Sequence, residues 1–431
     1  MKSSSLSRQD MKTLALAALG GALEFYDFII FGFFVATIGQ LFFPPETADW
    51  LRLLQTWGLF AAGYFARPLG GVIMAHFGDR SGRKRMFTLS VFLMAIPTLL
   101  IGLLPTYASI GYAAPLALLL LRLVQGAAIG GEVPGAWTFV AEHVPADRVG
   151  FACGTLTSGL TIGILFGSLI ATAVNRSYSP ADVLAFAWRI PFLVGGVFGF
   201  FAVFLRRLLA ETPVFEELRR RNALERGVPL MAVLAGHGRA VVVSMLLTWV
   251  LTAAIVVVIL MTPTLIQKLF PISPADALAA NSVATLGLSI GCVVYGLAAD
   301  RFGATRVVAI GCALLLGAVY ALYFGLADSA QRLVPLYAFA GFCVGVVGVI
   351  PTVLVRAFPP ALRFSGISFA YNVAYAIFGG LTPLFVSLMM KAQPLAPAHY
   401  VAALCVVGIL VGLTQRDGAG ASSTDAAAVS R

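Results

Sequence analysis

Twelve long apolar runs separated by short polar loops dominate the chain, roughly at positions 14–42, 51–77, 86–104, 112–142, 150–174, 188–208, 238–267, 277–299, 305–326, 333–357, 365–391 and 398–414. A helix needs about 20 mostly apolar residues to cross the hydrocarbon core of a bilayer, and each run is of that order. The pattern therefore predicts an all-α membrane protein with twelve transmembrane helices. One substantial polar segment, Arg206 to His237, falls between the sixth and seventh runs and splits the chain into two sets of six. Its EELRRR stretch predicts a short amphipathic helix at the membrane surface. The expected units are an N-terminal bundle at 1–205, a central loop at 206–237, a C-terminal bundle at 238–416 and a disordered tail at 417–431.

The fourth run, LALLLLRLVQGAAIGGEVPGAWTFV at Leu116–Val140, carries Arg122, Gln125 and Glu132 within a spanning length. A charge at that depth costs from ~3 to more than ~10 kcal/mol, so such groups face a bundle interior or a wet cavity. The first run holds Glu24 and Asp27, and the second holds Arg67.

Composition supports the membrane reading. Of 431 residues, 59% are hydrophobic and only 11% charged, and mean hydropathy is +0.92. A soluble domain carries about a quarter of its residues as charges. The net charge of +10 would suggest nucleic acid in a soluble protein. Here Lys and Arg sit in short loops, so topology explains them better and nucleic acid is not an expected partner. With the N-terminus inside, 21 of them fall in cytoplasmic segments. Six fall outside: Arg52, Arg176, Arg189, Lys268, Arg332 and Lys391. Both termini are therefore expected to be cytoplasmic. The first run continues for about 30 residues and contains two acids, too long for a signal-peptide core, and is expected to be retained. The five cysteines are isolated and the four histidines far apart, so neither a disulfide framework nor a metal site is expected.

The halves repeat. GDRSGRKR at Gly78–Arg85 is echoed by ADRFGATR at Ala299–Arg306, an offset of 221, while Gly126 and Gly130 match Gly341 and Gly345 at an offset of 215. EHVPADRVG at Glu142–Gly150 is echoed by RAFPPALRFSG at Arg356–Gly366. Two parallel six-helix repeats with a mid-membrane site between them form a known transporter architecture.

These landmarks resemble the major facilitator superfamily, and within it the metabolite:proton symporters that include proline/betaine, citrate, α-ketoglutarate and shikimate carriers. The resemblance covers nearly the whole chain. It rests on GALEFYDFIIFGFF at Gly21–Phe34, RPLGG at Arg67–Gly71 followed by GDRSGRK, RLVQGAAIGGEVPGA at Arg122–Ala136, and RFSGISFAYNVAYAIFGGLTP at Arg363–Pro383. It implies uptake of a small polar metabolite with protons by alternating access, in an inner (plasma) membrane. One departure stands out. Carriers of this group commonly have an acid three positions before the proline ending the tenth helix, whereas here Arg356 precedes Pro359. Glu142 holds the equivalent place in the first half, so the two cytoplasmic latches should differ electrostatically.

Three clusters can carry chemistry. Glu24 and Asp27 are three apart and share a helical face; two carboxylates so close in a low dielectric should not both stay ionised. They are candidate proton carriers together with Glu132, with a structural hydrogen-bonded pair as the alternative. Arg122 can hold a carboxylate bidentately, whether from a substrate or from Asp27. It heads a proposed substrate set of Gln125, Tyr26, Arg67, Tyr371, Asn372 and Tyr375, against the alternative of a permanent salt bridge and interhelical hydrogen bonds. A cytoplasmic gate is expected from Asp79, Arg80, Arg83, Lys84, Glu142, Asp300, Arg301 and Arg363. At offset 215, Arg122, Gln125 and Glu132 map to Tyr337, Ala340 and Val347, so intramembrane charge is confined to the first half.

No GxxxxGK[ST] phosphate loop occurs, and no convergent catalytic set is present. The expected protein is a monomeric secondary carrier, not an enzyme, using the proton gradient and no cofactor, with a small-molecule substrate, protons and lipid as its partners. A proton-coupled exporter on the same fold is the first alternative, and a membrane sensor or enzyme the second.

Overall fold

Inside a bilayer every backbone N–H and C=O must be satisfied within the chain, so apolar runs of this length fold as helices. The computed structural model describes residues 8–81, 83–130, 132–207 and 229–415. Its principal helices are α1 (Arg8–Phe33), α2 (Asp49–Ser81), α3 (Arg83–Leu103), α4 (Ala113–Glu142), α5 (Ala146–Ser177), α6 (Arg189–Arg207), α7 (Gly238–Leu269), α8 (Pro274–Phe302), α9 (Ala304–Asp328), α10 (Ala330–Ala357), α11 (Leu362–Met389) and α12 (Ala396–Thr414). Among the described residues, eight helices are long and apolar enough to cross a membrane. The pair Pro180–Ala187 and Arg189–Phe204, bent by 45°, makes a ninth. The described residues contain no strand. The EELRRR stretch of the central loop lies outside the described residues. Just after it a short helix, Pro229–Gly236, packs on α11 and α7.

Local sequence sets several helix ends. SPAD occurs twice, at Ser179–Asp182 and Ser273–Asp276, and each copy caps a helix in the same way. The serine Oγ accepts from the aspartate N–H, at 3.2 Å and 3.1 Å, and donates to its carboxylate at 2.7 Å. Proline fills the first helical position, where no N–H is needed. Each cap contributes about 1 kcal/mol. At the end of α3, Arg189 Nη1 donates to the carbonyls of Gly102 (2.9 Å) and Leu104 (2.8 Å), groups the helix cannot satisfy itself.

The repeat read from sequence appears in the packing. Gly126 and Gly130 lie directly against the backbone of Gly63 and Arg67, where any Cβ would overlap a carbonyl oxygen; Gly341 meets Ala284 in the same way. Thus α4 seats on α2 as α10 seats on α8, and Gly63 and Ala284 are related by the 221-residue offset of the loop motifs. The Gly159, Gly163 and Gly167 stripe of α5 faces α1, so it packs one bundle internally. Such small-residue contacts bring helices close where lipid supplies no hydrophobic drive.

The two sets of helices meet along α5/α8, α2/α11, α1/α7 and the α4/α10–α11 corner. All five cysteines are buried and free.

Candidate substrate site at the inter-bundle seam

Two buried arginines anchor the polar interior, and their surroundings differ. Arg122 on α4 is fully buried. Its Nη1 donates to Gln125 Oε1 at 3.0 Å, Gln125 Nε2 donates to Thr98 Oγ1 at 2.7 Å, and Thr98 donates to the Met94 carbonyl at 2.9 Å. Phe31 of α1 and Phe60 of α2 cover the guanidinium at 4.6 Å and 5.1 Å. All these partners belong to the first half, so the chain of bonds ties α4 to α3 inside one bundle.

Arg67 on α2 is also buried, at 1% exposure, but it faces the second half. Its guanidinium carbon lies 4.3 Å from the Tyr375 ring centroid, 5.4 Å from Tyr371 and 5.7 Å from Tyr64. Tyr64 and Arg67 are three apart and share a face of α2; Tyr371 and Tyr375 are four apart and share a face of α11. The cage is thus built half from each bundle. Tyr64 meets Tyr375 at 5.3 Å, and Trp137 of α4 meets Tyr371 edge-on at 4.9 Å. A π-helical turn, Tyr375–Gly379, begins at the cage; such turns recur at functional sites. Arg67 Nε and Nη2 have no hydrogen-bond partner among the described residues, and neither do Trp137 Nε1 and Asn372 Oδ1. Asn372 Nδ2 donates across the seam to the Gly130 carbonyl and lies 3.4 Å from Ser368 Oγ.

The remaining expected site residues divide. Tyr26 lies inside the first bundle, its hydroxyl donating to the Pro191 carbonyl at 2.7 Å and its ring edge-on to Phe198. Gln125 is the strut described above. Tyr371, Asn372 and Tyr375 come together with Arg67. The side chains of Glu24, Asp27, Glu132, Asp79, Arg80, Arg83 and Lys84 lie outside the described residues. Sequence reading did not single out Tyr64, Trp137 or Thr98. The signals were a tyrosine one turn from Arg67 and a tryptophan in the middle of a span.

The seam is bridged on both sides of this cage. On the face that carries the GDRSGRKR loop, Asp300 accepts from the Gly150 N–H (2.6 Å) and the Phe151 N–H (2.8 Å) at the start of α5. Arg363 Nη1 pairs with Glu142 at 2.9 Å while its Nε holds the Val355 carbonyl, and Arg356 reaches the Ala146 carbonyl at 3.3 Å. Arg301 is exposed and lies over its neighbour Phe302. On the far face, Lys391 Nζ sits 3.0 Å from the Trp50 ring centroid, and Ser168 of α5 meets Leu278, Asn281 and Ser282 of α8. Tyr337, which occupies the place of Arg122 in the second half, holds the Val258 carbonyl at 2.6 Å and Asn281.

Two helical bundles closing around a buried polar cage define a membrane carrier, not a catalytic centre. Among the described residues no His/Cys/Asp/Glu cluster with metal-binding geometry occurs. The profile of the Major Facilitator Superfamily matches residues 17–383, and the chain belongs to that superfamily. A putative proline/betaine transporter of Staphylococcus aureus (strain COL) is 33% identical over 417 residues, covering 94% of this chain and 88% of the relative. A glycine betaine/proline/ectoine/pipecolic acid transporter of Dickeya dadantii is 29% identical over 418 residues, covering 94% and 83%. Among solved structures, the proton:xylose symporter XylE bound to 6-bromo-6-deoxy-D-glucose superposes with a TM-score of 0.75 at 17% identity, covering 94% of both chains. That likeness establishes the fold. The protein is a multi-span membrane transporter of a small metabolite, and not an enzyme.

Proposed function

We propose that this chain takes up a small zwitterion bearing one carboxylate, coupled to protons, by alternating access around the Arg67 cage. The observation that carries the reading is the Arg67 guanidinium, buried at the seam with Nε and Nη2 unpartnered among the described residues and tyrosine faces from both bundles around it. Those two N–H groups form one edge of the fork, and a carboxylate fits that edge bidentately. An uncompensated cation in a low dielectric is costly, so an anionic ligand gains more here than it would at the surface. The names of the relatives, proline/betaine and glycine betaine/proline/ectoine/pipecolic acid transporters, agree with a zwitterion of this size. In this reading Arg122 is a strut of the first bundle and the substrate contact passes to Arg67, with Tyr371, Asn372 and Tyr375.

Proton coupling falls to Asp27, with Glu24 and Glu132 as its neighbours. Position 27 lies one helical turn before Phe31, the ring against Arg122. The charge asymmetry of the loops puts both termini and the Asp300 face in the cytoplasm, with twelve spans, two bundles at 1–205 and 238–416, and a monomer in the plasma membrane. The proton gradient is the energy source, and no cofactor enters the cycle.

Arg67→Lys tests the anchor, because an ammonium cannot reproduce the two-point fork. Uptake of proline into proteoliposomes should lose about 2–3 kcal/mol in kcat/KM, some 30- to 150-fold. Wild-type uptake by that variant would remove Arg67 from the site.

A further inference from the structure

We propose that the cage selects zwitterions whose cationic nitrogen keeps at least one N–H, and that the Asn372 carboxamide oxygen reads it; this rests on the cage being the substrate site. The orientation of Asn372 is fixed by its partner. A carbonyl oxygen only accepts, so the amide must turn Nδ2 toward Gly130 and Oδ1 away from it. Oδ1 is then a buried acceptor without a hydrogen-bond partner, on the α11 face that carries Tyr371 and Tyr375. The Asn372 side chain lies against α2 one turn from Arg67: a Cβ on Gly71 would stand 3.5 Å from its Nδ2. Around the cage stand a two-pronged donor for a carboxylate, an unpartnered indole donor at Trp137, the tyrosine hydroxyls and one unpartnered amide acceptor.

The acceptor decides the cationic end of the ligand. Tyrosine faces attract any ammonium, quaternary or not. The carboxamide oxygen instead pairs only with a ligand that brings a donor. A quaternary nitrogen would enclose that oxygen and leave it unpaired, and sites built to hydrogen-bond a group reject analogues that lack it. A primary or secondary ammonium satisfies both the ring faces and Oδ1.

A methylation series isolates this contact. Binding of L-proline, N-methyl-L-proline and N,N-dimethyl-L-proline to the purified full-length protein is measured by titration calorimetry, with 4-methyl-L-proline as a control that adds carbon away from nitrogen. Wild type should bind proline and its N-methyl derivative within a few-fold of each other. The dimethyl compound should bind about tenfold or more weaker, and the 4-methyl control should stay close to proline. Asn372→Ala, which removes the acceptor without adding charge, should flatten the ranking. Equal wild-type affinity for proline and its dimethyl derivative, lost together in Arg67→Lys, would overturn this selectivity and leave the proposed function standing. Absence of binding by all three N-series compounds would overturn both.

Discussion

Arg67 and Arg122 are equivalent to any scale of hydrophobicity, two arginines at membrane depth, and the difference between them is which bundles supply the groups around the guanidinium. Arg122 is bonded to Gln125, which is bonded to Thr98; Arg67 turns an unpartnered edge into a cage shared by two bundles. The sequence pattern makes both legible as functional candidates, because burying a charge without purpose is costly. It favours Arg122, whose neighbours Gln125 and Glu132 lie in the same run. The reversal depends on side chains of other helices, Thr98 on α3 and Tyr371 and Tyr375 on α11, and periodicity along one helix carries no information about those. At this scale Asp27 has its own test. Asp27→Asn removes the proposed proton carrier but not the cage, so proton-driven accumulation should vanish while exchange of substrate across the membrane continues. Full accumulation by the variant would exclude Asp27 from coupling.

Among elements, α5 shows how a single helix end can latch two bundles. The N–H groups of Gly150 and Phe151, near its start, are held by Asp300 from the end of α8, where a carboxylate meets the positive end of the helix dipole. Gly150 is required there, since a Cβ would stand 2.5 Å from the carboxylate oxygen. Replacing Asp300 with Asn turns two charge-assisted bonds into at most one ordinary one, a loss of about 1–2 kcal/mol. Cys153, buried and free in α5 three residues after Gly150, is a native reporter. Maleimide labelling of Cys153, mapped by mass spectrometry, should accelerate several-fold in Asp300→Asn. An unchanged rate would mean that the latch does not limit opening. Sequence reading put Asp79 and Asp300 alike in the cytoplasmic gate; the described structure gives Asp300 a two-point cap. Run positions, the repeat offsets and the glycine contacts were all legible, because they follow from length and side-chain size. The π-helical segments Ala254–Met261 and Tyr375–Gly379 were not. A shift from i→i+4 to i→i+5 bonding leaves the hydropathy of a run unchanged.

Across the whole molecule, the two halves share a scaffold but not a charge pattern, and the Asp300 face shows what that does to alternating access. Glu142 of the first half pairs with Arg363 of the second. The repeat would set Arg148 opposite position 356, but Arg356 stands there and instead holds the Ala146 carbonyl. The Glu142–Arg363 ion pair is therefore not repeated at position 356, where a backbone hydrogen bond stands instead. Its partners are partly exposed, with side chains 18% and 26% accessible, so its contribution is about 0.5–1 kcal/mol. Loss of that energy changes the ratio of states closed and open on this face by roughly two- to fivefold. A substrate entering from the far face binds the state closed here, so its apparent affinity falls with the population of that state. Glu142→Gln and Arg363→Gln should each weaken far-side apparent affinity by up to about fivefold and speed Cys153 labelling. The double variant should do no more than either single one, because both remove the same contact. Arg356→Ala, which deletes a cross-bundle hydrogen bond but no ion pair, should have a smaller effect than either. Additive losses in the double variant would show that Glu142 and Arg363 act on the bundles separately, and that the seam on this face is held elsewhere.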